Sequence, residues 1–142
     1  MIVIDANIAL ALVIPVPYSE KASERFAAWA ESLTALAAPA LFGFEVTSGL
    51  RKAVSLGVLS QERANSALES IFALGIQELT ATQELHRAAL SWADRLGQTV
   101  AYDAYYIAAA ESVAASFWTA DQQLYDAAHA AGADWVRRID TH

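Results

Sequence analysis

Four acidic residues stand where a chain could gather charge for chemistry: Asp5, Glu45, Asp103 and Asp121. Asp5 follows the apolar run Ile2-Val3-Ile4, and Asp121 follows the apolar run that ends at Thr119. Glu45 is embedded in Leu41-Phe42-Gly43-Phe44-Glu45-Val46, where a solvated carboxylate is out of place. Two like charges ~4 Å apart repel by about 4 kcal/mol at an effective dielectric near 20, so clustered acids take up protons, open or hold a cation. Oxygen donors alone select Mg²⁺ or Mn²⁺ over softer metals. Such an ion suits phosphoryl chemistry, because it can activate water and offset charge on a phosphate. Asp121 and Asp103 also have a plainer reading, since carboxylates at helix starts cap free N–H groups and complement the helix dipole, whereas Asp5 and Glu45 are poorly explained that way.

Positioning four such residues takes alternating strands and helices. Short apolar runs punctuate helical patterns along the chain, which predicts βαβ units and a parallel sheet. Strands are expected at 2–4, 34–38, 76–79, 116–119 and 135–136, with Pro39 stopping the second. Helices are expected at 7–13, 41–56 and 102–115, with others opening at Ser19, Ser60 and Asp121. The apolar stripe Leu85, Ala89, Trp92 and Leu96 marks one more, closed by Gly97. In the helix after Ser60, Ala64, Ala67, Leu68, Ile71 and Phe72 are expected to face inward. Strand ends and helix starts lie on one edge of a parallel sheet, where such folds bind ligands. All four acids are therefore expected at one crevice.

Composition limits the alternatives. The chain has 142 residues, enough for one domain with its own core, and residues 1–142 are read as that domain. It has no cysteine, which excludes disulfides and thiolate metal sites. No apolar stretch approaches the roughly 20 residues of a membrane span, and no secretory signal is evident, so a cytoplasmic protein is expected. The net charge of -7 is unlike a general nucleic-acid binder, so an RNA substrate would need local cations or metal. Arg51 and Lys52 are the nearest candidates, with Lys52 on roughly the helical face of Glu45. A solvated helix end, where cations suit the macrodipole, is the preferred reading of both. The three histidines show no ligand spacing, and Trp29, Trp92, Trp118 and Trp135 read mainly as core anchors. Of Tyr105 and Tyr106, which could stack on bases, at least one reads as core.

Ile2-Val3-Ile4-Asp5-Ala6-Asn7 resembles the opening of PIN domains, and Glu45 resembles their second acid. Tyr102-Asp103-Ala104-Tyr105-Tyr106-Ile107-Ala108-Ala109-Ala110-Glu111 is similar to the third motif of that family, and Trp118-Thr119-Ala120-Asp121-Gln122-Gln123-Leu124 to the fourth. Order, spacing and chain length also resemble the stand-alone VapC-like toxins of toxin–antitoxin pairs. The resemblance implies a three-layer α/β fold with a central parallel sheet of four to five strands. It implies a Mg²⁺- or Mn²⁺-dependent endoribonuclease, with Asp5, Glu45, Asp103 and Asp121 binding metal and carrying catalysis. It matches Asn7 and Thr119 to supporting polar positions. An RNA substrate, a cognate antitoxin and a homodimer are the implied partners. Two other readings stand beside it. One is a binding module or RNA-processing factor with little nuclease activity, docking through Phe26, Trp29 or the helix after Ser60. The other is an aspartyl phosphoacceptor, which Asn7 disfavours by standing where a second Asp would be expected.

Overall fold

The computed structural model describes residues 1–140. Five strands form one sheet in the order β3-β2-β1-β4-β5. They are β1 (Ile2–Ile4), β2 (Leu36–Pro39), β3 (Gln77–Leu79), β4 (Ser116–Thr119) and β5 (Val136–Arg138). Every pairing is parallel, with Val3 beside both Ala37 and Phe117. The α/β expectation thus holds at its upper strand count. β1 lies between β2 and β4, so the chain winds one way to β3 and the other way to β5. The strand order reverses between β1 and β4, and parallel sheets bind ligands at the carboxyl ends of strands at such a point.

Two apolar layers cover the sheet, and alternation along each strand assigns them. Val3, Ala37, Phe117 and Val136 pack with α5 (Gln83–Leu96), α6 (Tyr102–Ser112) and α7 (Gln122–Ala130). Ile2, Ile4 and Ala38 face the other layer, with α1 (Ala6–Leu10), α2 (Ser19–Glu31), α3 (Leu41–Ser55) and α4 (Gln61–Phe72). β1 and β2 are short and covered on both faces, so they read as continuous apolar runs.

Local chemistry sets most helix ends. Ser60 caps α4 by accepting from the Arg63 N–H at 3.1 Å, and Thr82 caps α5 by accepting from that of Leu85 at 3.1 Å. Gly97 ends α5 at φ +68, a left-handed conformation that glycine adopts without strain.

Several expectations need correction. Ser19 is the first residue of α2, not its cap. Its hydroxyl accepts from Val16 N–H at 2.9 Å and donates to the Ile14 carbonyl at 3.2 Å, bracing the loop through Pro15 and Pro17. α1 ends at Leu10 and α6 at Ser112, both earlier than expected. Pro39 does not stop β2 from outside; it is the last β2 residue and pairs with Leu79, because a terminal strand residue can forgo its N–H. Phe72 points outward at 56% exposure, since Ile71 and Ala67 already fill the inward face of α4. Phe26 and Trp29 are buried in the core, which removes them as a docking face.

Gly49 lets α1 and α3 approach closely. A Cβ there would lie 2.5 Å from a terminal methyl of Leu10. This contact holds α3, one turn beyond Glu45, against the helix that follows Asp5.

Candidate active site

Asp5 leaves β1 and enters α1, and Asp121 leaves β4 and enters α7. The two strands are neighbours in register, so the two carboxylates begin on the same edge. α3 starts just beyond β2 and brings Glu45 to that edge in its second turn. α6 brings Asp103 in its first turn.

Thr119 joins the strand-end residues. Its buried hydroxyl donates to Asp5 Oδ2 at 2.7 Å and accepts from the Asp121 backbone N–H at 3.1 Å. The Asn7 side-chain amide also donates to it at 3.4 Å, while Asn7 Oδ1 accepts from the Ala120 backbone at 3.4 Å. One hydroxyl therefore uses its donor and both acceptor sites, and its orientation is fixed. Asp121 accepts from Leu124 N–H at 3.0 Å as the cap of α7.

The helix-borne acids have neutral partners too. The Tyr106 hydroxyl donates to Glu45 Oε1 at 2.6 Å, and the Gln98 amide donates to Asp103 Oδ2 at 3.2 Å. None of the four acids is paired with Lys or Arg among the described residues. The hydrogen-bond donors that meet these carboxylates among the described residues are neutral dipoles.

The electrostatics follow from that. Burial pushes the Asp5 carboxyl up from 3.8 to about 7; the Thr119 hydrogen bond opposes the rise, and Glu45 and Asp103 add to it. Burial also raises Glu45, against the pull of the Tyr106 hydroxyl, and the Asp103 charge raises it further. Burial raises Asp103, the Gln98 amide opposes this, and the Asp121 charge adds to it. The four acids are thus linked through one repulsive field. Tyr18, half-buried in the loop before α2, is raised by burial and by the charges of Asp5 and Asp121, which places it beside the crevice as well.

The donor set fits a hard divalent cation: it offers oxygen only, and positive charge would offset both the burial and the added repulsion that raise the Asp5 pKa. Among the described residues, no three His, Cys, Asp or Glu side chains are gathered to hold a metal ion. The edge is a shared acidic crevice rather than a closed cage. Mg²⁺ commonly binds one or two carboxylates and keeps much of its water, and an open crevice of this kind suits that habit.

Arg51 and Lys52 lie outside this cluster. Both are exposed, near the far end of α3 and roughly 10 Å along its axis from Glu45. Tyr105 contacts His86 edge-on, and its hydroxyl bonds to the His86 ring, away from the acids. Sequence reasoning missed the roles of Tyr106, Gln98 and Tyr18. Only the position of Tyr106 three residues after Asp103, one helical turn, hinted that its side chain reaches the same edge.

Residues 2–130 match the profile of the PIN domain family. No curated protein matches the chain. Among solved structures, a toxin–antitoxin complex from Klebsiella pneumoniae superposes with a TM-score of 0.68 at 17% identity, over 100% of each chain. VapBC2 from Rickettsia felis, bound to a DNA fragment from their promoter, gives 0.68 at 12% identity over 97% of this chain and 98% of that one. FitAcB from Neisseria gonorrhoeae gives 0.59 at 22% identity over 91% and 94%. At these identities the likeness concerns the fold.

Proposed function

Because the chain belongs to the PIN domain family, we propose that it is a metal-dependent endoribonuclease, acting as the toxin of a toxin–antitoxin pair. The observation that carries the reading is the linked field of Asp5, Glu45, Asp103 and Asp121 at the sheet's reversal point, none of them paired with Lys or Arg among the described residues. An acid that burial, with added repulsion from other acids, holds near neutrality serves no packing purpose, and perturbed acids of this kind mark functional sites.

Asp5, Glu45, Asp103 and Asp121 would hold Mg²⁺ or Mn²⁺, directly or through water. The bound ion supplies water activation and charge stabilisation at a phosphodiester. Thr119 keeps Asp5 in one orientation and ties it to the Asp121 backbone, so two acids from adjacent strands move as one unit. Asn7 braces the same hydroxyl. RNA is repelled by a chain of net charge -7, so productive binding depends on the divalent ion and on local cations such as Arg51 and Lys52.

The partners follow the same reading. Two of the structural neighbours are titled as a toxin–antitoxin complex and as VapBC2 on its promoter DNA, and an antitoxin partner is proposed here by analogy. A homodimer is proposed as well. No helix of the described residues is long and apolar enough to cross a membrane.

The test is cleavage of a defined RNA with Mg²⁺ or Mn²⁺, against EDTA and against the Asp5→Asn variant. Cutting is expected only in the metal-loaded wild type. Equal cutting by the variant, or in EDTA, would remove the proposal. A second reading, a partner-binding module, draws on Phe44 and Phe72, which stand 73% and 56% exposed. They border a cavity of about 430 Å³ beside β2. Silent cleavage assays together with a stable partner complex would favour it.

A further inference from the structure

We propose that Tyr106 is a positioning residue: its buried hydroxyl fixes the Glu45 carboxylate and thereby tightens divalent-cation binding at the acidic edge. This rests on the nuclease reading above.

The phenol is placed by the core and not by the crevice. Tyr106 is only 1% exposed, and its ring stacks on Phe117 of β4, with centroids 5.3 Å apart and planes at 21°. It belongs to α6, one turn after Asp103, and the Ala6 backbone, next to Asp5, lies against the phenol. Three of the four acid-bearing segments therefore meet at this side chain. The fourth contact is the functional one: the hydroxyl donates to Glu45 Oε1 at 2.6 Å across 61 residues of sequence.

The direction of that bond is fixed by chemistry. An ionised carboxylate only accepts, so the phenol must be the donor. A phenol keeps its proton at neutral pH, so the donor is retained. Glu45 has a flexible side chain and is half-exposed, and left to itself it would sample several rotamers into solvent. With Oε1 bound to a rigid phenol, it turns Oε2 to a ligand. A partner that orients a metal-binding carboxylate typically contributes 10–100-fold in metal affinity or activity.

The alternative is that Glu45 merely satisfies a buried hydroxyl. The two differ in what Tyr106→Phe does. This variant keeps the ring and its stack and removes one oxygen. Mn²⁺ binding, measured by electron paramagnetic resonance without RNA, is expected to weaken about 10- to 100-fold. In cleavage assays kcat should fall while KM for RNA changes little. Glu45→Gln supplies the reference: if Tyr106 acts through Glu45, adding Tyr106→Phe to Glu45→Gln should weaken Mn²⁺ binding no further. Wild-type Mn²⁺ affinity in Tyr106→Phe, beside a clear loss in Glu45→Gln, would overturn the positioning role and leave the nuclease reading standing. Absence of Mn²⁺ binding by the wild type at millimolar concentration would overturn both. Should Tyr106→Phe fail to fold, Glu45→Asp withdraws the carboxylate from the hydroxyl at a half-exposed position. It should show the same loss, and unchanged affinity there would also refute the proposal.

Discussion

Asp5 and Asp121 occupy equivalent places and are used in opposite ways. Each follows a strand of the same parallel pair, each has extended backbone, and each stands at the N-cap of the next helix. Asp121 is exposed and spends its carboxylate on the local task of capping, through the Leu124 N–H. Asp5 is buried, feels the Asn7 N–H of α1 only as the least of the effects on its pKa without a well-formed cap bond, and is turned mainly towards Thr119. A buried carboxylate that feels other acids and leaves the start of its own helix without a well-formed cap lowers the stability of the fold when it is ionised. The pair contrasts an acid that serves the site at a cost to folding with one that serves the site and caps a helix as well, and it makes opposite stability predictions for the two positions.

The largest effect is expected at Asp5. Asp5→Asn removes the buried charge while keeping the shape, and cleavage should fall about 10³-fold, or ~4 kcal/mol of transition-state stabilisation. The same variant in EDTA at pH 8 should melt at a higher temperature than the wild type, because it no longer ionises a buried acid. A lower melting temperature would mean that Asp5 is structural, and the contrast with Asp121 would vanish.

A pH series sharpens the contrast without mutation. The folded-state pKa of Asp5 is raised, to about 7 from 3.8, so the folded protein holds a proton that the unfolded chain releases. The associated stability is present below about pH 4 and is lost as pH rises through about 7, by roughly 4 kcal/mol at most. Glu45 and Asp103 are raised as well and act with the same sign. Metal-free protein should therefore be less stable at pH 8 than at pH 5 in denaturant titrations. Mn²⁺ should restore stability more at pH 8, where it does not compete with protons. A flat profile in EDTA would contradict the buried field.

The strand ends were legible because their causes are local. Ile2–Ile4 before Asp5 and Ser116–Thr119 before Ala120 read as strands from apolar and β-branched residues alone, and the observed spans agree. The caps at Ser60 and Asp121 depend on residues three positions away, within reach of pattern reading. Ser19 misled because its hydroxyl serves the preceding proline loop. α6 carries no clear amphipathic stripe, since Tyr106, Ile107, Ala108, Ala109 and Ala110 are all buried between the sheet and α5. A helix covered on most sides has no periodicity to reveal which face meets the acids. The partners of Glu45 and Thr119 lie 61 and 114 residues away, and such pairings are set by packing that no local spacing encodes.

Thr119→Val tests how the two aspartates are joined. Valine keeps the volume and loses the hydroxyl that donates to Asp5 and accepts from the Asp121 backbone. Leaving these groups unsatisfied should destabilise the protein by about 1–3 kcal/mol. It should also extend the pH-dependent loss to higher pH, since the Thr119 bond is the larger of the two hydrogen bonds that lower the Asp5 pKa. An unchanged pH profile would show that Asp5 does not depend on this hydroxyl.

The smallest effect is expected at Asp121, with its sign opposite to that at Asp5. Asp121→Ala removes the α7 cap, which should lower stability by about 1 kcal/mol. It also removes one of the charges that raise the Asp103 pKa, a gain that solvent screening keeps to a few tenths of a kcal/mol at an exposed residue. The cap dominates, so the net change is a loss. Asp121→Asn separates the two contributions, because asparagine caps as well as aspartate but carries no charge. It should match or slightly exceed the wild type in stability and still bind Mn²⁺ more weakly. A loss as large as that of Asp121→Ala would show that the carboxylate's charge, and not its hydrogen bond to Leu124, stabilises this end of the sheet, and the division of labour between the two aspartates would not hold.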